Sequence, residues 1–191
     1  RKNPMRKDAQ KNREDILASA QLLIAQQGTD IALSAIANEA GVGIATLYRN
    51  FPTRRDLFLG VAEQLFTQVK HLAETYLEQW DTDPTTTWHD FVHELARLRT
   101  GMLAIQLAES SVLDLDSDAV LALRDSGIAA VDPLLDKAKQ AGLVDPAIDI
   151  VHFQVGLATI TRPLPNLPLL RLDPRQEWLV DIYLRGIAPE Q

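Results

Sequence analysis

The chain has 191 residues, 46% of them hydrophobic, enough for a buried core in one domain or two small ones, which excludes extended disorder away from the ends. It has no cysteine, so disulfides, thiolate metal sites and cysteine nucleophiles are excluded, and a cytoplasmic protein is expected. The formal charge of −7 argues against a nucleic-acid binder, yet residues 1–55 hold nine Lys/Arg against five Asp/Glu, a net of +4 that leaves −11 for the remainder.

Residues 1 to about 10 read as a polar, basic terminus, or as an arm whose Arg6 and Lys7 reach a nucleic-acid backbone. From about Gln10 to Gln27, Ile16, Leu17, Ala20, Leu23 and Ile24 recur at helical spacing until Gly28. Leu33, Ile36, Ala37 and Ala40 then mark one face of a short helix that Gly41 ends, since glycine takes the left-handed conformation without a Cβ penalty. A second short helix, about Gly43 to Phe51, buries Leu47 and Phe51 and turns Gly43, Ile44, Thr46, Arg49 and Asn50 outward. Two short helices joined by a tight turn have helix-turn-helix geometry, and the outer face of the second suits a DNA major groove. There Gly43 and Ala45 permit close approach, Ile44 offers an apolar contact of the kind thymine methyls accept, and Thr46 can bond a base edge or a phosphate. An ordinary αα corner with small packing residues is the competing reading.

Pro52 stops that helix, and Thr53 with Asp56 forms an expected capping box for the next. This helix opens with Arg54 and Arg55, cations that oppose the helix dipole unless phosphates lie nearby, and carries apolar residues to about Trp80. The stretch DTDPTTT, Asp81 to Thr87, breaks the pattern. Helices are predicted from Thr86 to Gly101, from Met102 to Leu113, and from Ser117 to Ala141, the last kinked or divided by Pro133. Helices over Pro146–Thr161 and Asp173–Ile187 close the chain and are apolar enough to need cover on several sides, from the core or from a second copy packed as a four-helix bundle. No alternating strand pattern or glycine-rich phosphate loop occurs. The fold is therefore expected to be all-α.

The run IANEAGVGIATLYRNFPTRRDL resembles the DNA-binding signature of the tetracycline-repressor (TetR) family of bacterial transcriptional regulators, over about Ile16 to Leu59. The resemblance implies a three-helix head in residues 1–55 and a helical effector-binding and dimerisation domain in 56–191. It also implies phosphate contacts from Thr46, Tyr48 and Arg54 and a further DNA contact at Ser34. Gly43 and Ile44 stand where serine and lysine are common in the family, and Ala32 where threonine often caps the helix. The resemblance favours a homodimer through the last two helices, whose two heads, about 34 to 36 Å apart, would read successive major grooves of a palindromic operator. It further implies a small, hydrophobic effector among the middle helices, for which Trp88, Phe91, Leu95, Met102, Gln106, Phe153 and Thr161 are the candidate contacts.

Other chemistry has little support. His89 and His93 are four apart on a helix, as in zinc pairs, with Asp90 and Glu94 beside them, but the sequence indicates no third ligand and no metal or cofactor is expected. No serine lies in a nucleophile-elbow context, so no catalytic residue is assigned. There is no run near the roughly 20 apolar residues of a membrane span. The expected function is a ligand-responsive regulator, most simply a repressor. A helical carrier of small molecules and a small helical enzyme are the alternatives.

Overall fold

A computed structural model describes residues 4–98, 103, 106, 107, 109, 110, 112–114, 117–161 and 177–189. Eight helices are delimited among them: α1 (Pro4–Gln27), α2 (Leu33–Glu39), α3 (Ile44–Asn50), α4 (Arg54–Gln79), α5 (Pro84–Arg97), α6 (Asp118–Gln140), α7 (Ile150–Ile160) and α8 (Glu177–Gly186). No strand occurs among the described residues, in keeping with the all-α expectation. Leu103, Gln106, Leu107 and Glu109 are helical, while the other residues of the helix predicted from Met102 to Leu113 lie outside the described residues or beyond its helical part. The start predicted at Asp173 also lies outside them.

The chain divides into two compact units, Arg1–Leu65 with Leu103–Leu123, and Phe66–Met102 with Arg124–Gln191. In the first, α1, α2 and α3 pack together around Ile16, Ala20, Ile24, Ile36 and Leu47, all essentially without solvent contact. The first turns of α4 add Leu57, Phe58 and Val61. Gly60 is small for a reason: a Cβ there would meet Phe51 Cε1 at 2.9 Å and Leu17 Cδ2 at 3.1 Å. The second unit has its own core, in which Trp88, Phe91, Leu95, Leu134, Leu135 and Phe153 are buried together. Its rings are in contact, with Trp88 5.9 Å from Phe91 and 5.4 Å from Phe153 between centroids.

The helix ends follow local chemistry. The expected box at the start of α4 is present and reciprocal: Asp56 N–H donates to Thr53 Oγ1 at 3.1 Å, and Thr53 N–H to Asp56 Oδ2 at 2.9 Å. α5 begins at Pro84, two residues earlier than predicted, because Asp83 accepts from Thr86 N–H and Pro84 occupies the first turn, where a missing N–H costs nothing. α1 likewise starts at Pro4, six residues before Gln10. α6 continues through Pro133 as one element, so the expected division does not occur; the proline removes a single helical hydrogen bond. It ends at Gly142, φ +71°, where Gly142 N–H reaches Lys139 O and Leu143 N–H reaches Ala138 O. α7 starts only at Ile150, where Asp149 accepts from His152 N–H at 2.8 Å. Past α8, Asp145 N–H donates to Ile187 O at 2.8 Å, tying the α6–α7 connection to the far end of the chain.

Candidate nucleic-acid interface

The turn between α2 and α3 is built by two main-chain bonds. Gly41 N–H donates to Asn38 O at 3.1 Å and Val42 N–H to Ala37 O at 3.0 Å, with Gly41 at φ +66°. This paired closure satisfies the last carbonyls of α2 and redirects the chain within three residues. Gly43, extended at φ −70° and ψ 147°, then caps α3, and neither Ala32 nor Gly43 supplies a side-chain cap.

On α3, Leu47 is completely buried and Phe51 nearly so, which fixes which side of the helix faces out. Gly43, Ile44, Ala45, Tyr48 and Arg49 are exposed, Ile44 and Tyr48 at 43% and 49%, and Thr46 and Asn50 are partly covered. Ile44 and Tyr48 are therefore two large side chains that this seven-residue helix leaves open to solvent. Ser34, in the first turn of α2, is exposed as well.

Two polar groups are engaged within the protein. Asn50 Nδ2 donates to Thr46 O at 2.9 Å, and its main-chain carbonyl accepts from Arg13 Nη1 at 3.4 Å. Arg54 donates through Nη2 to Thr29 O and lies with its guanidinium 5.0 Å from the Phe58 ring centroid. Arg13 stacks over Phe51 at 4.3 Å, a role the spacing of apolar residues did not reveal. These cations brace the three-helix packing from its rim.

The candidate effector residues fall in different places. Trp88, Phe91, Leu95 and Phe153 are together in the core of the second unit, whereas Gln106 belongs to the first; Met102 lies outside the described residues. Thr161 is partly buried and donates to Leu157 O at 2.8 Å. A cavity of about 650 Å³ in the second unit is lined by Trp88, with Thr85, His89, Leu143, Asp181 and Leu184 among its other walls. Trp88 Nε1, Gln68 Oε1, Gln64 Oε1 and Gln106 Oε1 are buried without a hydrogen-bond partner among the described residues.

His89 and His93, paired in sequence, are met by a group that spacing could not supply. Asp181 on α8 places Oδ1 2.8 Å from His93 Nε2 and 3.3 Å from His89 Nε2.

Residues 16–61 match the family model described as bacterial regulatory proteins, tetR family. The chain is 35% identical over 82 residues to an HTH-type transcriptional regulator of Staphylococcus aureus, an alignment that spans 40% of this chain and 44% of the relative's length. It is similar to the crystal structure of a TetR transcriptional regulator from Streptomyces coelicolor, at 28% identity and a TM-score of 0.68, covering 94% of this chain and 99% of that one. The fold is also that of the TetR-like regulator LfrR from Mycobacterium smegmatis, solved in complex with proflavine, at 20% identity and a TM-score of 0.62 over 95% and 99% of the two chains. No helix among the described residues is long and apolar enough to cross a membrane. With its α1–α3 head and an all-helical second unit, the chain is similar to TetR transcriptional regulators, and its residues 16–61 match the tetR family itself.

Proposed function

We propose that the chain is a ligand-responsive repressor that binds a palindromic operator as a homodimer in the cytoplasm and is released by a small, hydrophobic effector. The observation that carries this reading is the open face of α3, where Ile44 and Tyr48 stand half exposed beside Arg49 on a helix anchored by fully buried Leu47. Residues 1–55 would form the DNA-binding part and 56–191 the effector-binding and dimerisation part. Gly43, Ile44, Ala45, Arg49, Asn50 and Ser34 form the reading surface, and Thr46, Tyr48 and Arg54 position it on phosphates.

Dimerisation is supported by the outer faces of the last two helices. Val151 and Val155 on α7 and Trp178 and Ile182 on α8 are each about half exposed, at i and i+4 within their helices. Such neighbouring apolar pairs on adjacent helices suit a second copy about a two-fold axis. For the effector, the buried Trp88 indole N–H has no acceptor among the described residues, and a ligand carrying a carbonyl or ether oxygen would supply one. Trp88, Phe91, Leu95, Phe153 and Thr161, all of the second unit, are the proposed effector contacts. The proflavine complex of the mycobacterial regulator is a precedent for a flat aromatic ligand in this fold. Release requires that the effector prefer a conformation in which the two heads no longer match the operator, since equal affinity for both states shifts nothing.

Selection of bound fragments from the source genome tests the proposal. A recovered palindrome, bound less tightly as salt rises and released by a compound that the protein binds, is the expected result. Recovery of no sequence above background overturns it.

A further inference from the structure

His89, His93 and Asp181 come together from two helices of the second unit, α5 and α8. The two histidines are four residues apart, so their imidazoles stack along one side of α5, 4.4 Å between ring centroids. Asp181 arrives from a position 88 residues beyond His93. One donor atom from each of the three lies within 4.8 Å of the other two.

We propose that these three side chains bind a divalent transition-metal ion, with zinc(II) as the fitting ion, and that the bound ion fastens α8 to α5. Two imidazoles and one carboxylate make a mixed nitrogen and oxygen donor set, which suits zinc and its neighbours rather than the all-oxygen preference of calcium or magnesium. With metal–ligand bonds of about 2.0 to 2.2 Å, tetrahedral ligand atoms lie about 3.3 Å apart. The His89 Nε2–Asp181 Oδ1 separation is 3.3 Å. His93 Nε2 and Asp181 Oδ1, at 2.8 Å, are at hydrogen-bond distance, so the ion takes the place of that hydrogen bond, His93 binding through Nε2 as the neutral tautomer with its one proton on Nδ1, and the pair opens by a few tenths of an ångström.

The surroundings hold the donors in place without competing for them. Asp90 Oδ1 lies 3.8 Å from His89 Nδ1, beyond hydrogen-bond reach, while His89 Nε2 is the nitrogen that faces Asp181 Oδ1. Arg185 directs its Nε to the Asp181 main-chain carbonyl at 3.3 Å rather than to the carboxylate, and Arg97 is engaged by Glu94 and Glu177. Trp88 and Val92, next to the histidines on α5, are buried, as is Val180 beside Asp181, so both backbones are fixed by the core. His93 is 13% exposed while His89 and Asp181 are about half exposed, which leaves a coordination position open to water.

The test uses the full chain without affinity-tag histidines, stripped with a chelator and dialysed. Titration with cobalt(II), followed by visible absorption, and with zinc(II), followed by calorimetry, should show one ion per protomer, with zinc displacing cobalt. Saturating zinc should raise Tm by about 5 to 10 °C. His89→Gln, His93→Gln and Asp181→Asn should each weaken affinity by more than about tenfold, while His152→Gln, on the exposed start of α7, should not change it. If His93→Gln fails to fold, His89→Gln decides, because that side chain is half exposed. No uptake at a hundredfold excess of ion, or uptake undiminished by His89→Gln and Asp181→Asn, overturns the site and leaves the three as a hydrogen-bonded cluster. The outcome is independent of DNA binding.

Discussion

Gly156 on α7 lies directly beneath Tyr183 on α8: a Cβ on the glycine would fall 2.6 Å from Tyr183 Cε2 and 2.9 Å from its hydroxyl oxygen, and that hydroxyl donates to Phe153 O at 2.7 Å. The missing side chain is what lets the two helices approach closely enough for the bond. Gly156→Ala is expected to destabilise the protein by about 1 to 3 kcal/mol, since the ring is held at its far end and cannot swing away. Tyr183→Phe keeps the shape and should cost about 1 kcal/mol. Urea unfolding of both variants checks the order.

The same tyrosine gives an alkaline signature. Burial pushes its hydroxyl up to about 12 from the ordinary 10.0, so the stability it contributes is complete below pH 10 and is lost as pH rises through 12. The Tm difference between wild type and Tyr183→Phe should therefore shrink across that window. At the acid end, Asp83 is held below its usual value by the Thr86 hydroxyl and N–H, and Asp149 by His152 N–H. Depressed carboxylates stabilise above about pH 4 and lose that contribution as pH falls further, so Tm should decline below pH 4.

Val155→Glu combined with Ile182→Glu places charge on the exposed apolar faces of α7 and α8 without entering the core. The proposed dimer should dissociate in sedimentation analysis. Affinity for a palindromic duplex should fall by roughly a hundredfold, because two linked heads bind far more tightly than one.

On the head, Tyr48→Phe and Arg49→Ala should weaken DNA binding with little effect on folding, as both side chains are exposed. Arg54→Ala is expected to do more. Its guanidinium holds Thr29 O and covers Phe58, so its loss should lower stability by about 1 to 3 kcal/mol in addition to any phosphate contact. Tyr48→Phe with Arg54→Ala should weaken binding across many DNA sequences. Parallel thermal melts and mobility-shift titrations separate the two effects.

A Cβ at Gly41 would meet nothing within 4 Å, so any substitution there acts through the backbone alone. Gly41→Val should cost about 1 to 2 kcal/mol and Gly41→Asn less, because asparagine tolerates the left-handed region. Reduced DNA binding at 37 °C, restored on cooling, is the outcome to measure for Gly41→Val.

What the sequence made legible was local. Gly41, Thr53 with Asp56, and the buried stripe through Leu47 are read within a few residues of one another, and each is in place. Asp83 with Pro84 was equally local, yet the surrounding DTDPTTT reads first as a break, so the start of α5 came out late. The effector residues were harder. Large apolar side chains serve a core and a pocket alike, and Trp88, Phe91, Leu95 and Phe153 pack against one another in the core. Asp181 was out of reach altogether, because nothing near His93 announces a carboxylate 88 positions away. The direction of the Arg54 side chain was equally hidden, since an arginine beside a recognition helix can turn outward or fold back onto the protein.

The bond from Asp145 N–H to Ile187 O joins residues 42 positions apart, and its donor follows buried Val144 in the chain. During translation at about 5 to 20 residues per second, the corner between α6 and α7 waits roughly 2 to 8 s for its acceptor to be made. The corner between α6 and α7 therefore gains this bond only after Ile187 has been made. A chain cut before Ile187 would leave Asp145 N–H without this acceptor.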